Sequence, residues 1–398
     1  MNETKSNHLL GFALLLGTFA LGWGVWHVFF APNGILKLYT PMYGFALIAA
    51  YFLIVVVMTD VFGLRNEAGK PARALLLTLV SFLGLFVLFY GFFWNFLGRF
   101  GVTYFSPHAI VAAGGTGAEF YNARENSSLA IVYLAASFLW IIPAWRAGVG
   151  EELWHECGRA KAGIANFFGI AFFAGLAYLI LFHPHVTSLF YPAQTFAGVP
   201  PWWEGVAMTA SAYFNLGWLL TAVFLLLLVE SAWEGRPASL LPKDGMWTIL
   251  SPSLMLAGSA VAGYLLFLGM EAVMNLFWEE PFLGGSYVDA PYFRHLHVAE
   301  MSGFFIMGLV IWRVFFRNAP GQLPPMARWV VRTLAVIAIG LLLRWFYYSE
   351  GIGTAFLDRV PGLAQPDDTP LAWTLMMLSL MLVYDRFFNA YLLREKTR

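Results

Sequence analysis

The stretch PYFRHLHVAEMSGFF, residues 291–305, brings His295, His297 and Glu300 together just ahead of a long apolar run. Imidazoles and carboxylates are usual protein ligands of copper, zinc and iron. His297 and Glu300 are three residues apart, so a helix sets them on one face. His295 and His297 are two apart. A helix turns such a pair about 200° from each other, whereas an extended backbone keeps both on one side. A second pair, His183 and His185, stands in the segment FHPHV. There Pro184 biases His183 towards an extended backbone, in which both imidazoles share a face. Glu271 and Asn275, four apart, precede the acidic FWEEPF with Glu279 and Glu280, and Asp289 follows. Residues 271–300 therefore read as a helix end, an acidic loop and a helix start.

Positioning these groups is a task for membrane helices. The chain has 398 residues, of which 60% are hydrophobic and 12% charged, and its mean hydropathy is +0.68. A soluble domain carries about 25% charged residues. Apolar runs of about 20 residues, each able to cross a hydrocarbon core of about 30 Å, recur along the chain. Ten spans are expected, at 9–30, 40–63, 74–98, 128–147, 163–185, 205–230, 247–275, 299–316, 328–349 and 370–393. The expected fold is an all-α integral membrane protein, a bundle of about ten transmembrane helices forming one polytopic domain over 1–398. The loops 99–127, 186–204, 276–298 and 350–369 are rich in Gly, Pro and aromatic residues and read as re-entrant or interfacial pieces.

Basic residues orient the bundle. Six of them, Lys37, Arg99, Arg124, Arg294, Arg344 and Arg359, fall on one face of this map, leaving 17 of the 23 on the other. Both termini are thus expected in the cytoplasm, in a multi-pass protein of the cell's inner (cytoplasmic) membrane. On this map His8 and His155 lie inside. The remaining histidines, His27, His108, His183, His185, His295 and His297, lie at or near the outer face. Any one of them also fits a helix cap or an interfacial hydrogen bond. As a group beside carboxylates, they point to a metal site at the outer leaflet.

Other chemistries lack support. A formal net charge of zero leaves no basic footprint for nucleic acid. Cys157 stands alone, and no Cys-x-x-Cys-His is present for covalent haem. The GGTG at 114–117 has no strand before it and no P-loop lysine after it. No Gly-x-Ser-x-Gly marks a nucleophile. Asp385 and Arg386 read as a structural pair at the inner end of the last span.

Three stretches carry a family likeness. VTYFSPHAI with AEFYN, NLFWEEPF with APYFRHLHVAEMSGFFIMG, and WGVWHVFFAPNG together resemble the C subunit of the particulate methane and ammonia monooxygenases. The resemblance covers about a third of the chain. It implies copper, oxidation of a small apolar substrate, and other subunits in a membrane complex. Of that subunit's copper motif only His108 carries over, since Tyr104 and Tyr121 stand at the other two positions. In its second cluster Asn275 matches, Glu279 replaces a histidine, and His295 or His297 stands near the distal ligand.

The leading expectation is a membrane-embedded oxidoreductase, an oxygenase-like protein or subunit. Its metal would be copper, with iron as the alternative. His295, His297 and Glu300 would be primary ligands, with His108, His183, His185, Asn275 and Glu279 beside them. The second expectation is a haem b or quinol-handling anchor of a respiratory complex, with His27 and His183 as axial ligands. A transporter is the third, although no internal repeat supports it.

Overall fold

The computed structural model describes residues 2–31, 33–38, 43–97, 118–148, 154, 158–183, 210–236, 240–242, 245–277, 290–349, 351–358, 370–390 and 393. Among them there is no strand, and each predicted span overlaps one helix. The helices are α1 (Asn2–Val25), α2 (Tyr43–Val56), α3 (Pro71–Phe86), α4 (Ala118–Ala147) and α5 (Arg159–Leu181). They continue as α6 (Ala212–Ser231), α7 (Trp247–Phe277), α8 (Ala290–Phe315), α9 (Pro325–Tyr348), the short α10 (Ile352–Leu357) and α11 (Pro370–Arg386). Wide π-helical turns extend α1 over Trp26–Phe30, α2 over Val57–Val61 and α3 over Val87–Leu97.

Nine of the described helices are long and apolar enough to cross a bilayer. This is an all-α, multi-pass membrane protein. The last predicted span forms the 17-residue α11, about 26 Å at 1.5 Å per residue. Local signals set several ends. Proline opens α3 and α9, where its missing N–H costs no helical bond. Ser211 caps α6, its hydroxyl oxygen accepting from the Phe214 N–H at 3.3 Å.

Two polar starts come well before the hydropathy expectation. Helix α8 begins at Ala290 rather than 299, so His295 and His297 sit in its second turn, not before it. Helix α4 begins at Ala118 rather than 128, so residues 118–127 are helical and not loop. In both cases the helix runs past its apolar stretch into a polar one. Hydropathy marks hydrocarbon thickness, and helical hydrogen bonding does not stop there. In the opposite sense, α6 begins at Ala212, seven residues after the expected 205.

Contacts divide the chain into two compact units, 1–135 with 307–398, and 136–306. In the first, Trp373 of α11 is fully buried against Phe19 of α1 and Phe346 and Tyr347 of α9. At one end of α1 the Trp26 indole donates to the Leu357 carbonyl at 2.9 Å. Asn33 donates to both oxygens of Asp358 at 3.0 Å. Near its other end, Gly11 passes the backbone of Phe315 so closely that a Cβ would meet the carbonyl oxygen.

A polar latch joins α2 to α11. The carboxylate of Asp60, in the wide turn after α2, is 2.6 Å from Arg65 and 2.6 Å from Arg386. Arg386 also donates to the Thr59 hydroxyl. The Asn66 side chain donates to the Phe387 and Lys70 carbonyls at 2.9 and 2.8 Å. Asp385 and Arg386, expected as one structural pair, take separate partners: Asp385 lies 3.7 Å from Arg313. Adjacent helical residues diverge by about 100°, so neighbours in sequence face different helices.

The second unit is built on α6. Gly263 of α7 lets that helix approach α6, and a Cβ there would lie 2.7 Å from Ala222 Cα. Along α8, Thr221 and Ser302 hydroxyls share a hydrogen bond of 2.9 Å, and the Phe224 and Phe305 rings meet at a tilt, 5.3 Å apart.

The side chains of Asp60 and Arg386 are 8% and 9% exposed, whereas Arg65 is 40% exposed. Asp60→Ala strands a buried guanidinium and should cost about 3–5 kcal/mol of stability. Arg65→Ala should cost about 1 kcal/mol or less. Thermal unfolding in detergent reads both, and equal losses would contradict this division.

Candidate functional site

The head of α8 carries two imidazole–carboxylate pairs pointing different ways. His297 Nδ1 is 2.6 Å from Glu300 Oε2. This pair lies within one helix face, as the spacing of three requires, and its side chains are 11% and 5% exposed. With the carboxylate ionised, Nδ1–H donates to it, which leaves Nε2 as the lone-pair nitrogen of a neutral ring.

His295 turns to neighbouring helices. Its Nε2 lies 3.3 Å from Glu271 Oε1 on α7. Its ring meets Phe214 of α6 edge-on at 5.2 Å and Phe267 of α7 at 5.6 Å. Nδ1 is buried and has no hydrogen-bond partner among the described residues. Such an atom is costly in an apolar setting unless something takes its lone pair. Close approach of backbones makes this pocket tight. A Cβ on Gly217 of α6 would sit 2.7 Å from the His295 carbonyl oxygen and 2.8 Å from the Phe267 ring.

One turn further along α7, Asn275 is exposed. At the same end of this unit, α5 stops at Leu181, and His183 follows the buried Phe182 outside the helix. The His183 ring is edge-on to Tyr178 at 6.4 Å. Asn215 ties this end to α6, donating to the Leu181 carbonyl at 2.7 Å and to Ala210 at 3.0 Å. His27 belongs to the other unit. It sits in the wide turn after α1, its Nδ1 3.0 Å from the Trp23 carbonyl and its ring 4.6 Å from the Trp23 ring. His108, His185 and Glu279 lie outside the described residues, as do Glu280 and Asp289.

Among the described residues no three His, Cys, Asp or Glu side chains gather as a ready metal set. The structure brings together Glu271 with His295 and His297 with Glu300, and the two histidines do not share a face. Four contributors went unnoticed in the sequence: Phe214, Asn215, Gly217 and Phe267. A lone asparagine and a glycine inside the apolar run SAYFNLGWLL were the signal, because a polar or small residue in a span marks a helix contact.

The helices define a polytopic all-α membrane protein with an imidazole- and carboxylate-bearing end. No family model, no curated protein and no solved structure matches the chain.

Gly217→Ala should destabilise the protein by about 1–3 kcal/mol, since rigid backbone opposes the new methyl. Gly258 of α7 has open space around its Cβ position, so Gly258→Ala should gain up to about 1 kcal/mol of helix stability. Thermal unfolding of both variants in detergent checks the contrast. A neutral Gly217→Ala would mean that α6 and α8 do not approach here as described.

Proposed function

We propose that this chain is a membrane-embedded redox protein, or an oxygenase-like subunit of a larger membrane complex, that holds copper at the head of α8. Iron is the alternative metal. The observation that carries the reading is the buried Nδ1 of His295, which has no hydrogen-bond partner among the described residues. A carboxylate on one ring nitrogen fixes the tautomer and orientation of a metal-binding histidine, and the other nitrogen is the ligand. Glu271 stands in that orienting place at His295, and Glu300 stands in it at His297. The donor set of imidazole and carboxylate suits copper or iron. Because His295 and His297 diverge, they would serve different ligand positions or different ions. His108, His183, His185, Asn275 and Glu279 remain proposed contributors.

Bound copper would supply oxidation chemistry for a small apolar substrate. The chain's own part is separate: Phe214 and Phe267 wall His295 with apolar surface, Glu271 orients it, and Gly217 allows the close approach. The resemblance to the C subunit of particulate methane and ammonia monooxygenases favours the same reading, and with it partner subunits in the bilayer. We place the pairs at the outer face of an inner membrane, with ten spans and both termini in the cytoplasm. The gathering of Arg65, Arg313, Arg317 and Arg386 at the opposite ends of their helices supports that orientation.

Metal analysis of the full chain purified in detergent tests the proposal. About one copper or iron per protein is expected, lost in His295→Ala, with affinity weakened about 10–100-fold in Glu271→Gln. Absence of a stoichiometric transition metal, or a metal content indifferent to His295→Ala, would overturn it.

A second reading rests on His27. The Trp23 carbonyl takes its Nδ1–H and leaves Nε2 as the ligating nitrogen, the arrangement an axial haem histidine needs. A haem b or quinol-handling anchor with His27 as a ligand would show a Soret band that disappears in His27→Ala. A featureless visible spectrum would exclude it.

A further inference from the structure

We propose that a cavity at the end of α8 binds a phosphate group, that of an anionic phospholipid headgroup or of free phosphate. The cavity measures about 350 Å³, within the ~300–1,000 Å³ span of small-ligand clefts. Its polar wall is Arg313, Arg317, Asn318 and Asp385, and its apolar wall includes Ala390 and Leu393. The membrane-crossing stretch of α8 ends at Phe315, so Arg313 precedes the boundary and Arg317 and Asn318 follow it. That is headgroup depth.

Charge argues for an anion. Of the described charged residues lining the cavity, two carry guanidinium groups and one a carboxylate. The carboxylate of Asp385 is 3.7 Å from Arg313, too long for a close two-pronged pair. Behind the same turn the buried Arg332 donates its Nε–H to the Asn318 carbonyl at 2.7 Å, adding a third cation. Arg317 donates to the Leu393 carbonyl, which fixes one edge of the cavity. Two helix C-termini meet here, and their partial negative charge of about half a unit each works against an anion. The backbone therefore gives the anion no help, and affinity must come from the guanidinium groups.

Shape narrows the anion. Guanidinium forks match phosphate oxygens two at a time. A basic pocket between membrane helices at the interface is a known setting for anionic headgroups. The apolar wall beside the arginines can take the glycerol end of a lipid, while a free phosphate would use the polar wall alone.

The test uses the full chain in phosphatidylcholine bicelles doped with phosphatidylglycerol. Lipid retained through purification is counted by mass spectrometry. Equilibrium dialysis with inorganic phosphate forms the second arm. Arg313→Gln should reduce binding about 10-fold, the loss of one charge-assisted contact. Asp385→Asn removes the competing carboxylate and should raise binding severalfold. A misfolded variant cannot give that gain, so the opposed signs separate binding from stability. Retention of phosphatidylglycerol indifferent to added phosphate supports a lipid ligand. Phosphate binding that displaces the lipid, or that occurs without it, supports a free anion. Equal retention of phosphatidylcholine and phosphatidylglycerol together with no phosphate binding, or binding unmoved by both substitutions, overturns the proposal.

Discussion

Hydrocarbon offers no hydrogen bonds, so every polar atom that enters it must find its partner within the protein. The rest of this structure follows from that constraint. The Thr221 and Ser302 hydroxyls satisfy each other between α6 and α8. The Trp218 indole reaches the Ala260 carbonyl at 2.8 Å and joins α6 to α7. Asn215 covers the last carbonyl of α5. The latch at Asp60 does the same with charges. Where the rule is obeyed throughout, the polar groups read as architecture. His295 Nδ1 is one of several buried polar atoms that find no such partner among the described residues, and the proposed metal would supply one there.

The two histidines show how a spacing of two residues separates environments. His297 finds a carboxylate on its own helix, and that pair forms wherever the helix forms. His295 depends on the packing of three helices: α7 for Glu271 and Phe267, α6 for Phe214, and Gly217 to let α8 come near. One imidazole is thus locally satisfied and the other is held by tertiary structure. Any movement of α7 against α8 alters the second and leaves the first untouched.

Much of this was legible in the sequence. Apolar run length located the helices, because bilayer thickness fixes it. The His297–Glu300 contact and the divergence of His295 both follow from the 3.6-residue period. What stayed hidden depends on register between helices. Nothing in the spacing of Glu271 and His295 says that they meet across a helix pair. Nothing in the neighbours Asp385 and Arg386 says that one turns to Arg313 and the other to Asp60. Helix starts were also missed at α4 and α8, where polar turns continue the backbone ladder beyond the oily segment. Asn215 and Gly217 were visible as residues out of place in an apolar run, but their roles needed the partner helices.

The latch has a further consequence for how the chain is made. Asp60 and its buried partner Arg386 are separated by 326 positions. At ~5–20 residues per second, translation brings the second to the membrane on the order of tens of seconds after the first. Throughout that interval the carboxylate waits at the end of α2 without Arg386, beside the nearby, half-open Arg65. Closure of the first unit is therefore a late, post-insertion event, and biogenesis must shelter an incomplete bundle until its final helix arrives.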